Sequence, residues 1–258
     1  MRLDLYLNSI GKYESRSKAA QAISRGDVLI KGKAVKPSFE YNGEDISYID
    51  SALNCVSNGG YKLYKALEDF AFDINGLVAA DIGASTGGFT ECLLKNGCKK
   101  VYAIDVGTGL LHPTIANDER VIVKDGINAR NLTVDDLGEL CDLATIDVSF
   151  ISLTYVLKNA ADVLKDNGHI IALIKPQFEC GNKNLGKSGI VKTSFHKEVL
   201  ENIYDYCLNI GLFPVKLTYA PIKDGKNVEF PILLSKAKER TMNKTDITNL
   251  LLNIKKCK

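Results

Sequence analysis

An apolar strand pattern that ends in a glycine-rich turn constrains the fold of this chain more than any other feature. Residues 77–82 form a short apolar run, and the turn after it leads directly into a helical pattern over residues 87–96. Strand and helix patterns go on alternating as far as residue 234. Such alternation is typical of a mostly parallel sheet that is covered by helices on both faces. The sequence therefore predicts an α/β fold for most of the chain.

The remaining elements of this region follow from the same patterns. Further strands are predicted at residues 101–104, 121–123, 143–146, 170–174, 215–219 and 228–234. Helices are predicted at residues 61–70, 153–164 and 198–208. The tail after residue 236 is polar and lysine-rich, so it is either a docked helix or a frayed end. A chain of 258 residues has room for this domain and one smaller module.

A small basic segment precedes the α/β region. Residues 1–37 hold eight basic and three acidic residues, a net charge of +5, whereas the whole chain carries only +2. Ser15 is placed to cap a helix that runs to Arg25, and Gly26 is a typical helix stop. Residues 28–33 predict a short hairpin. This basic head suits an anionic partner such as nucleic acid, and the alternative is an ordinary solvated surface.

The connection between this head and the α/β body ends in Ser-Asn-Gly-Gly at residues 57–60, a composition typical of a linker. No internal repeat or low-complexity tract interrupts the body. We therefore predict a head over residues 1–52, a linker over 53–60, a body over 61–240 and a tail over 241–258.

Cysteine usage, histidine spacing and hydropathy weigh against several classes of protein. The seven cysteines are scattered without a C-x-x-C pair, and the three histidines lie far apart. We therefore expect neither a disulfide framework nor a metal site. No apolar run reaches the ~18 residues that a membrane helix needs, and charges stand where a secretory signal has its apolar core. We expect a cytoplasmic protein with no metal and no membrane partner.

The turn after the first body strand has the sequence Asp81-Ile-Gly-Ala-Ser-Thr-Gly-Gly-Phe-Thr90. Glycines here let a ligand approach the backbone, and the following helix N-terminus favours an anionic group. The pattern is neither G-x-G-x-x-G nor a P-loop, which weakens a dinucleotide or ATP site. Asp105, which ends the second strand, is placed to accept hydrogen bonds from a ribose, and Asp81 can meet an amino group. These groups describe S-adenosylmethionine better than NAD, and a purely structural turn is the alternative.

Four charged residues stand where a sheet protein does not need them for stability. Asp147 and Lys175 each end a strand. Lys62 lies near the start of the helix before the first strand, and Glu229 enters the last strand. Because the carboxyl ends of parallel strands line a ligand crevice, we expect these side chains near the Asp81 turn. A lysine beside another cation in a dry site can act as a base toward a ribose 2′-hydroxyl. The alternative is a set of surface salt bridges.

The same motifs carry a family likeness. Residues 1–50 resemble an S4 RNA-binding domain, with the motifs Arg2-Leu-Asp4, Ser15-Arg-Ser-Lys-Ala19 and Arg25-Gly-Asp-Val-Leu-Ile-Lys-Gly32. Residues 57–234 resemble an FtsJ-like methyltransferase, with the Asp81 turn, Asp147-Val-Ser-Phe-Ile-Ser-Leu153 and Lys175-Pro-Gln-Phe-Glu179. Together they resemble the TlyA family of rRNA methyltransferases, historically also labelled hemolysins. The resemblance implies a Rossmann-like, seven-stranded, mostly parallel sheet with a small N-terminal α+β S4 domain.

The resemblance also implies a reaction. It implies 2′-O-methylation of a cytidine ribose in 23S rRNA, and in some members also 16S rRNA, with S-adenosylmethionine as the donor and rRNA or ribosomal subunits as the partner. It implies a catalytic tetrad of Lys62, Asp147, Lys175 and Glu229, with Lys175 as the base. The candidate cofactor residues are Asp81, Gly83, Ser85, Thr86, Gly87, Gly88, Phe89, Asp105 and Asp125. The candidate RNA contacts are Arg2, Arg16, Lys18, Gln21, Arg25 and Lys31.

Three functions stay open at this point. The leading one is an RNA ribose methyltransferase. The second is an RNA-binding protein with a catalytically degenerate body. Departures from the family pattern support this alternative, for example Leu110 where the family commonly has Gln. The third is a membrane-lytic protein, which the hemolysin label suggests and which the lack of a spanning or strongly amphipathic segment disfavours.

Overall fold

The computed structural model describes residues 1–48, 57–181, 185–186, 189–222, 225–238 and 241–256. Two sheets organise these residues, a three-stranded antiparallel sheet near the N-terminus and a seven-stranded sheet in the remainder. This architecture confirms the predicted fold class, a mostly parallel seven-stranded α/β sheet with a small α+β head.

The head packs two helices against its small sheet. The elements are α1 (Leu3–Ser9), α2 (Arg16–Arg25), β1 (Val28–Ile30), β2 (Lys33–Ala34) and β3 (Ile46–Tyr48). The side chain of Ser15 accepts a hydrogen bond from the Lys18 N–H and so caps α2, and Gly26 ends this helix with a left-handed φ of 95°. Both features match the predicted helix. Apolar side chains from α1, α2 and β1 form a separate head core.

The body sheet is parallel except for one strand. Its strands are β4 (Val78–Ile82), β5 (Lys100–Asp105), β6 (Val121–Asp125), β7 (Cys141–Ile146), β8 (Leu164–Ile174), β9 (Phe213–Leu217) and β10 (Phe230–Ser235). Their order across the sheet is β6-β5-β4-β7-β8-β10-β9, and β10 runs antiparallel to both of its neighbours. The carboxyl ends of β4, β5, β7 and β8 therefore meet at one edge, where an open α/β sheet binds its ligands.

Helices cover both faces of this sheet. They are α3 (Asn58–Phe70), α4 (Gly88–Lys95), α5 (Pro113–Ala116), α6 (Val134–Leu137), α7 (Leu157–Asp162), α8 (Pro176–Glu179), α9 (His196–Asn209) and α10 (Lys244–Lys256). Alternate residues of β4 enter two different cores, because Ala80 belongs to the core under α7 and α9 whereas Ala79 belongs to the core under α3 and α4. Ile247 and Ile254 of α10 are buried in the first of these cores, so the polar tail is a docked helix.

The boundaries of several elements differ from the predictions. The predicted helix over 153–164 is a 3-10 turn followed by the short α7, and β8 begins at Leu164 rather than at residue 170. This early start depends on pairing with β7 around a register shift, which periodicity does not reveal. Strand β9 is Phe213–Leu217 rather than 215–219, and β10 begins at Phe230 rather than at residue 228.

The predicted linker also ends earlier than expected. Residues 53–56 lie outside the described residues, and residues 58–60 form the first turn of α3. The Ser57 side chain accepts a hydrogen bond from the Gly59 N–H, and this cap starts the helix despite its two glycines. None of the helices in the described part of the chain combines the length and the hydropathy that a membrane crossing requires.

Candidate active site

The carboxylate of Asp105 shapes the glycine-rich turn after β4. Its two oxygens accept hydrogen bonds from the backbone N–H groups of Ser85 and Gly107, each at 2.8 Å. Ser85 has a left-handed φ of 49°, a conformation that this bond helps to hold. Gly83 has a φ of 86°, and a Cβ there would lie 3.0 Å from the backbone oxygen of Asp147. The turn therefore requires glycine where it passes the end of β7.

A second carboxylate, that of Asp81, lies buried beneath the turn. It accepts hydrogen bonds from the hydroxyl groups of Thr90 at 2.6 Å and Thr145 at 2.9 Å. No lysine or arginine among the described residues forms an ion pair with it. Burial outweighs these hydrogen bonds and raises the pKa of Asp81 to about 6. Asp81 therefore changes its charge close to neutral pH.

A cavity of ≈ 430 Å³ extends from the glycine-rich turn to the end of β7. Its lining includes Gly83, Ser85, Asp105, Val106, Ile127, Asp147 and Ser149. Predicted cofactor residues thus line one end of the cavity, and a predicted tetrad residue lines the other. Gly83, Ser85 and Asp105 of the first set and Asp147 of the second therefore line the same cavity.

The start of α3 packs closely against Gly88 and Phe89 in the first turn of α4. A Cβ at Gly88 would lie 2.0 Å from Ser57 Oγ and 3.0 Å from the backbone nitrogen of Gly60. Phe89 is buried in the core between the sheet and α3. A Cβ at Gly59 would lie 3.8 Å from Asp147 Oδ2. These predicted cofactor residues therefore also position the helix that carries Lys62.

The other predicted cofactor residues have different surroundings. Gly87 has a φ of 94°, and a Cβ there would lie 2.8 Å from Leu111 Cδ1. Thr86 is exposed at the crest of the turn. Asp125 ends β6 and accepts a hydrogen bond from the Gly109 N–H at 2.8 Å. Asp125 thereby orders the loop that follows Asp105.

The four predicted tetrad residues converge beside the cavity. Lys175 Nζ lies 2.5 Å from Asp147 Oδ1 and forms an ion pair with it, although the angles at the two atoms are not those of a hydrogen bond. Lys62 Nζ lies 2.6 Å from Glu229 Oε2 and 3.9 Å from Asp147 Oδ2, so Asp147 faces both lysines. Between 8% and 25% of each side chain is exposed. The residues form one largely buried cluster, unlike the separate surface salt bridges of the alternative.

The two lysines of this cluster differ in their electrostatic surroundings. Burial opposes the charged form of Lys62, but Asp147 and Glu229 outweigh burial and raise the pKa of Lys62. Lys175 is more deeply buried, has Asp147 as its ion-pair partner among the described residues and donates a hydrogen bond to Ser149 Oγ at 3.0 Å. Lys62 is thus held as an ammonium between two carboxylates, whereas Lys175 lies between a carboxylate and a hydroxyl group.

Comparison with known proteins gives this geometry a family. A model described as an FtsJ-like methyltransferase matches residues 55–237, and a model described as an S4 domain matches residues 1–47. The chain is 42% identical over 193 residues to a Mycobacterium tuberculosis protein named 16S/23S rRNA (cytidine-2′-O)-methyltransferase TlyA, a match that covers 74% of this chain and 72% of that one. The chain belongs to the TlyA family. It is a methyltransferase.

Two further relatives extend the match over more of the chain. A Campylobacter jejuni protein named 23S rRNA (cytidine-2′-O)-methyltransferase TlyA is 34% identical over 257 residues, covering 89% of this chain and 97% of that one. A solved structure from Streptococcus thermophilus, described as a candidate hemolysin, has a TM-score of 0.75 and 36% identity, covering 99% of this chain and 96% of that one. These matches therefore include both the S4 head and the methyltransferase body, and they extend over nearly the full length of both relatives.

In the S4 head of this TlyA-family chain, two predicted RNA contacts share one buried carboxylate. Arg2 donates to Asp4 through Nε at 3.1 Å and Nη2 at 2.9 Å, and Arg16 donates through Nε at 3.0 Å. The guanidinium groups keep other N–H groups for a partner, because each has five donors. Asp4 therefore fixes how both arginines face the surface.

Two other predicted RNA contacts have different surroundings. Lys18 forms an exposed ion pair with Glu14, and Lys31 is exposed in the turn between β1 and β2. The side chains of Gln21 and Arg25 lie outside the described part of the structure. Among the described residues, no group of three or more side chains is arranged to hold a metal ion.

Two functional features of this TlyA-family site escaped the sequence analysis. Ser149 contacts Lys175, and Phe150 is 91% exposed with its ring centroid 5.2 Å from that of Phe178. Phe150 also has a positive φ of 64°. All three belong to the motifs that carried the family resemblance. A large aromatic residue in the polar loop three positions after Asp147 was the available signal.

Proposed function

We propose that this protein transfers a methyl group from S-adenosylmethionine to the 2′-hydroxyl of a cytidine ribose in ribosomal RNA. The observation that carries the proposal is the position of Asp147, which lines the cavity and faces both Lys62 and Lys175. The relatives named as rRNA cytidine-2′-O-methyltransferases support the choice of substrate. A ribosomal RNA substrate implies a cytoplasmic location.

The cavity suits S-adenosylmethionine in size and in the chemistry of its lining. Each oxygen of Asp105 accepts one backbone hydrogen bond and retains acceptor capacity for ribose hydroxyls. Val106 and Ile127 offer apolar surface for the adenine ring. Asp81 lies beneath the turn, where its charge attracts the amino group of the methionine part. When bound, S-adenosylmethionine supplies a methyl group on a sulfonium whose leaving group is a neutral thioether.

The chain's own residues then have two tasks, to orient the ribose and to move one proton. Lys175 in its neutral form accepts the 2′-hydroxyl proton as the oxygen–methyl bond forms. Asp147 orients the Lys175 amine and stabilises the ammonium that results. Lys62 stays charged between Asp147 and Glu229 and attracts the electron-rich ribose oxygen. Since the leaving group needs no protonation, placement of these groups supplies most of the rate.

The S4 head supplies the contacts to RNA outside the reacting nucleotide. The guanidinium groups of Arg2 and Arg16 are fixed by Asp4, and the two side chains remain 40% and 50% exposed. Arginine forks of this kind suit backbone phosphates, which dominate recognition of folded RNA. The exposed ring of Phe150, three residues after Asp147, would contact a nucleobase.

Methyl transfer to isolated ribosomal subunits tests the proposal. Wild type with tritium-methyl S-adenosylmethionine should label rRNA, and nuclease mapping should place the label on a 2′-oxygen of cytidine. We expect Lys175→Ala to abolish labelling while calorimetry still shows binding of S-adenosylmethionine. Lys165→Ala is the matched control, because Lys165 forms a comparable ion pair with Asp142. Undiminished labelling by Lys175→Ala, or the absence of cofactor binding by wild type, would overturn the proposal.

A further inference from the structure

A carboxylate outside the tetrad joins the two segments that carry Asp147 and Lys175. Glu179 lies at the end of α8, which begins directly after Lys175. Glu179 Oε2 accepts a hydrogen bond from Ser152 Oγ at 2.6 Å, and Oε1 accepts one from the Leu153 N–H at 2.9 Å. Both donors lie in the loop that follows Asp147. The Lys175 segment therefore holds the far end of the Asp147 loop.

The surroundings of Glu179 make this connection specific. Burial raises the pKa of Glu179, although its bonds to Ser152 and Leu153 oppose that rise. Ser152 Oγ also lies 2.8 Å from Thr154 Oγ1, so the connection continues into the 3-10 turn after the loop. Removal of the Glu179 carboxylate should cost stability, because the Leu153 N–H would lose its hydrogen-bond partner.

The loop held in this way contains every Lys175 contact described above. Its first residue, Asp147, is anchored by a backbone hydrogen bond to Ile82 and forms the ion pair with Lys175. Ser149 accepts the hydrogen bond from Lys175 Nζ. Phe150 follows with a strained φ of 64°, which persists only where the surrounding structure over-determines it. Glu179 supplies the second anchor that this strained loop requires.

We propose that Glu179 is a positioning residue for the methyl-transfer reaction. It acts through the Asp147 loop and holds Asp147 and Ser149 against the Lys175 amine. The inference rests on the proposed function for its catalytic consequence, whereas the positioning itself concerns the geometry of Lys175. Release of the loop would separate Lys175 from its partners, whereas the hydrogen bonds from Ser85 and Gly107 to Asp105 at the other end of the cavity do not involve this loop.

Steady-state kinetics with ribosomal subunits test the catalytic consequence. For Glu179→Ala we expect kcat to fall by about tenfold to a hundredfold, the size of a displacement near 1 Å, with the KM for S-adenosylmethionine within about twofold of wild type. Glu179→Gln should restore kcat to within about threefold, because the amide can accept from Leu153 and donate to Ser152. Glu139→Ala is the matched control, since Glu139 accepts from Lys100 and Tyr102 elsewhere on the sheet.

Side-chain NMR of 15N-lysine protein tests the positioning without turnover. The Lys175 signal, assigned by its absence in Lys175→Met, should move in Glu179→Ala and stay in place in Glu139→Ala. An unchanged signal, or an unchanged kcat in Glu179→Ala, overturns the inference. If Glu179→Ala folds poorly, Ser152→Ala replaces it. This variant removes one of the two hydrogen bonds to Glu179, so the Lys175 signal should move by a smaller amount. A moved signal in a protein that methylates no rRNA would overturn the proposed function and leave the positioning intact.

Discussion

The head and the body each contain a buried carboxylate that faces two cations, but they expose those cations to different degrees. In the head, Asp4 is 2% exposed while Arg2 and Arg16 are 40% and 50% exposed. In the body, Asp147 is 17% exposed while Lys175 and Lys62 are only 8% and 25% exposed. The head carboxylate thus holds cations that stay half exposed at the surface, whereas the body carboxylate keeps its cations within the molecule.

This difference teaches how one kind of ion pair can serve two purposes. Burial opposes ionisation of Asp4, but hydrogen bonds from Arg2 and Arg16 outweigh burial and lower the pKa of Asp4. A guanidinium that stays charged and exposed is suited to binding phosphate. The body lysines are largely buried against carboxylates, and under the proposed function they act on the ribose. Under that proposal, exposure of the cations separates binding from chemistry.

The sharpest test of this contrast is Asp147→Asn, for which we expect the largest effect. The substitution leaves both lysines without their shared charge, so kcat should fall by about 10²–10⁴. Loss of a largely buried partner should also lower the free energy of unfolding, by up to about 3–5 kcal/mol. Single-turnover methyl transfer and urea unfolding measure the two effects. Asp205→Asn, in the exposed pair with Lys244, is the control. A kcat within tenfold of wild type would contradict the catalytic role that distinguishes the body ion pairs from those of the head.

A carboxylate without a cation provides the next test. The pKa of Asp81 is raised to about 6 from an ordinary value of 3.8, so its protonated form favours folding. Its stabilising contribution is complete below pH 3.8 and is lost as the pH rises through 6. Asp81→Asn should therefore gain stability relative to wild type as the pH rises from 4 to 7, by about 2 kcal/mol. Urea unfolding of both proteins at each pH measures the gain, and a pH-independent difference would contradict it.

In the head we expect a smaller effect, confined to RNA affinity. Asp4→Asn removes the charge that orients Arg2 and Arg16, so the Kd for rRNA should rise about tenfold, the size of one charge-assisted contact. The kcat at saturating RNA should stay within about twofold, because the tetrad is untouched. Removal of an acidic residue alone would strengthen attraction to RNA. Filter binding that shows equal or tighter binding would therefore refute the positioning role of Asp4.

The smallest effect should come from a cation outside the Asp4 network. Lys18 forms only an exposed ion pair with Glu14, so Lys18→Ala should raise the Kd for rRNA less than threefold and change the salt slope by at most about 1. Arg16→Ala should have the larger effect. Binding isotherms at several salt concentrations compare the two variants. Equal losses would mean that head charge alone, without orientation by Asp4, controls RNA affinity.

Much of the body architecture was predictable because its signals are local. Apolar periodicity located the run 77–82 and the helix after it. The turn between them contains glycines because its backbone has positive φ at two of these positions. The start of β8 was not predictable, because it depends on pairing with β7. The first turn of α3 was mistaken for linker because its glycines resemble a loop, whereas the cap at Ser57 decides the outcome.

The candidate site divides along the same line. Asp147 and Lys175 were predictable as strand ends, and Asp105 as the acid beside the turn. The contacts of Glu179 with Ser152 and Leu153 were not, since nothing in the local sequence shows which loop a buried carboxylate reaches. The assignment of roles to these residues stays a prediction until the variants are measured.

By itself the sequence determined the order of strands and helices, the cap and stop of α2 and the family to which the chain belongs. These properties depend on neighbours within about one turn of helix or one strand. Only the tertiary structure decided that Lys62 meets Glu229 at 2.6 Å and that Asp147 stands between two lysines. Such contacts join distant parts of the chain, and the order of strands across the sheet and the packing of α3 on α4 set their distances.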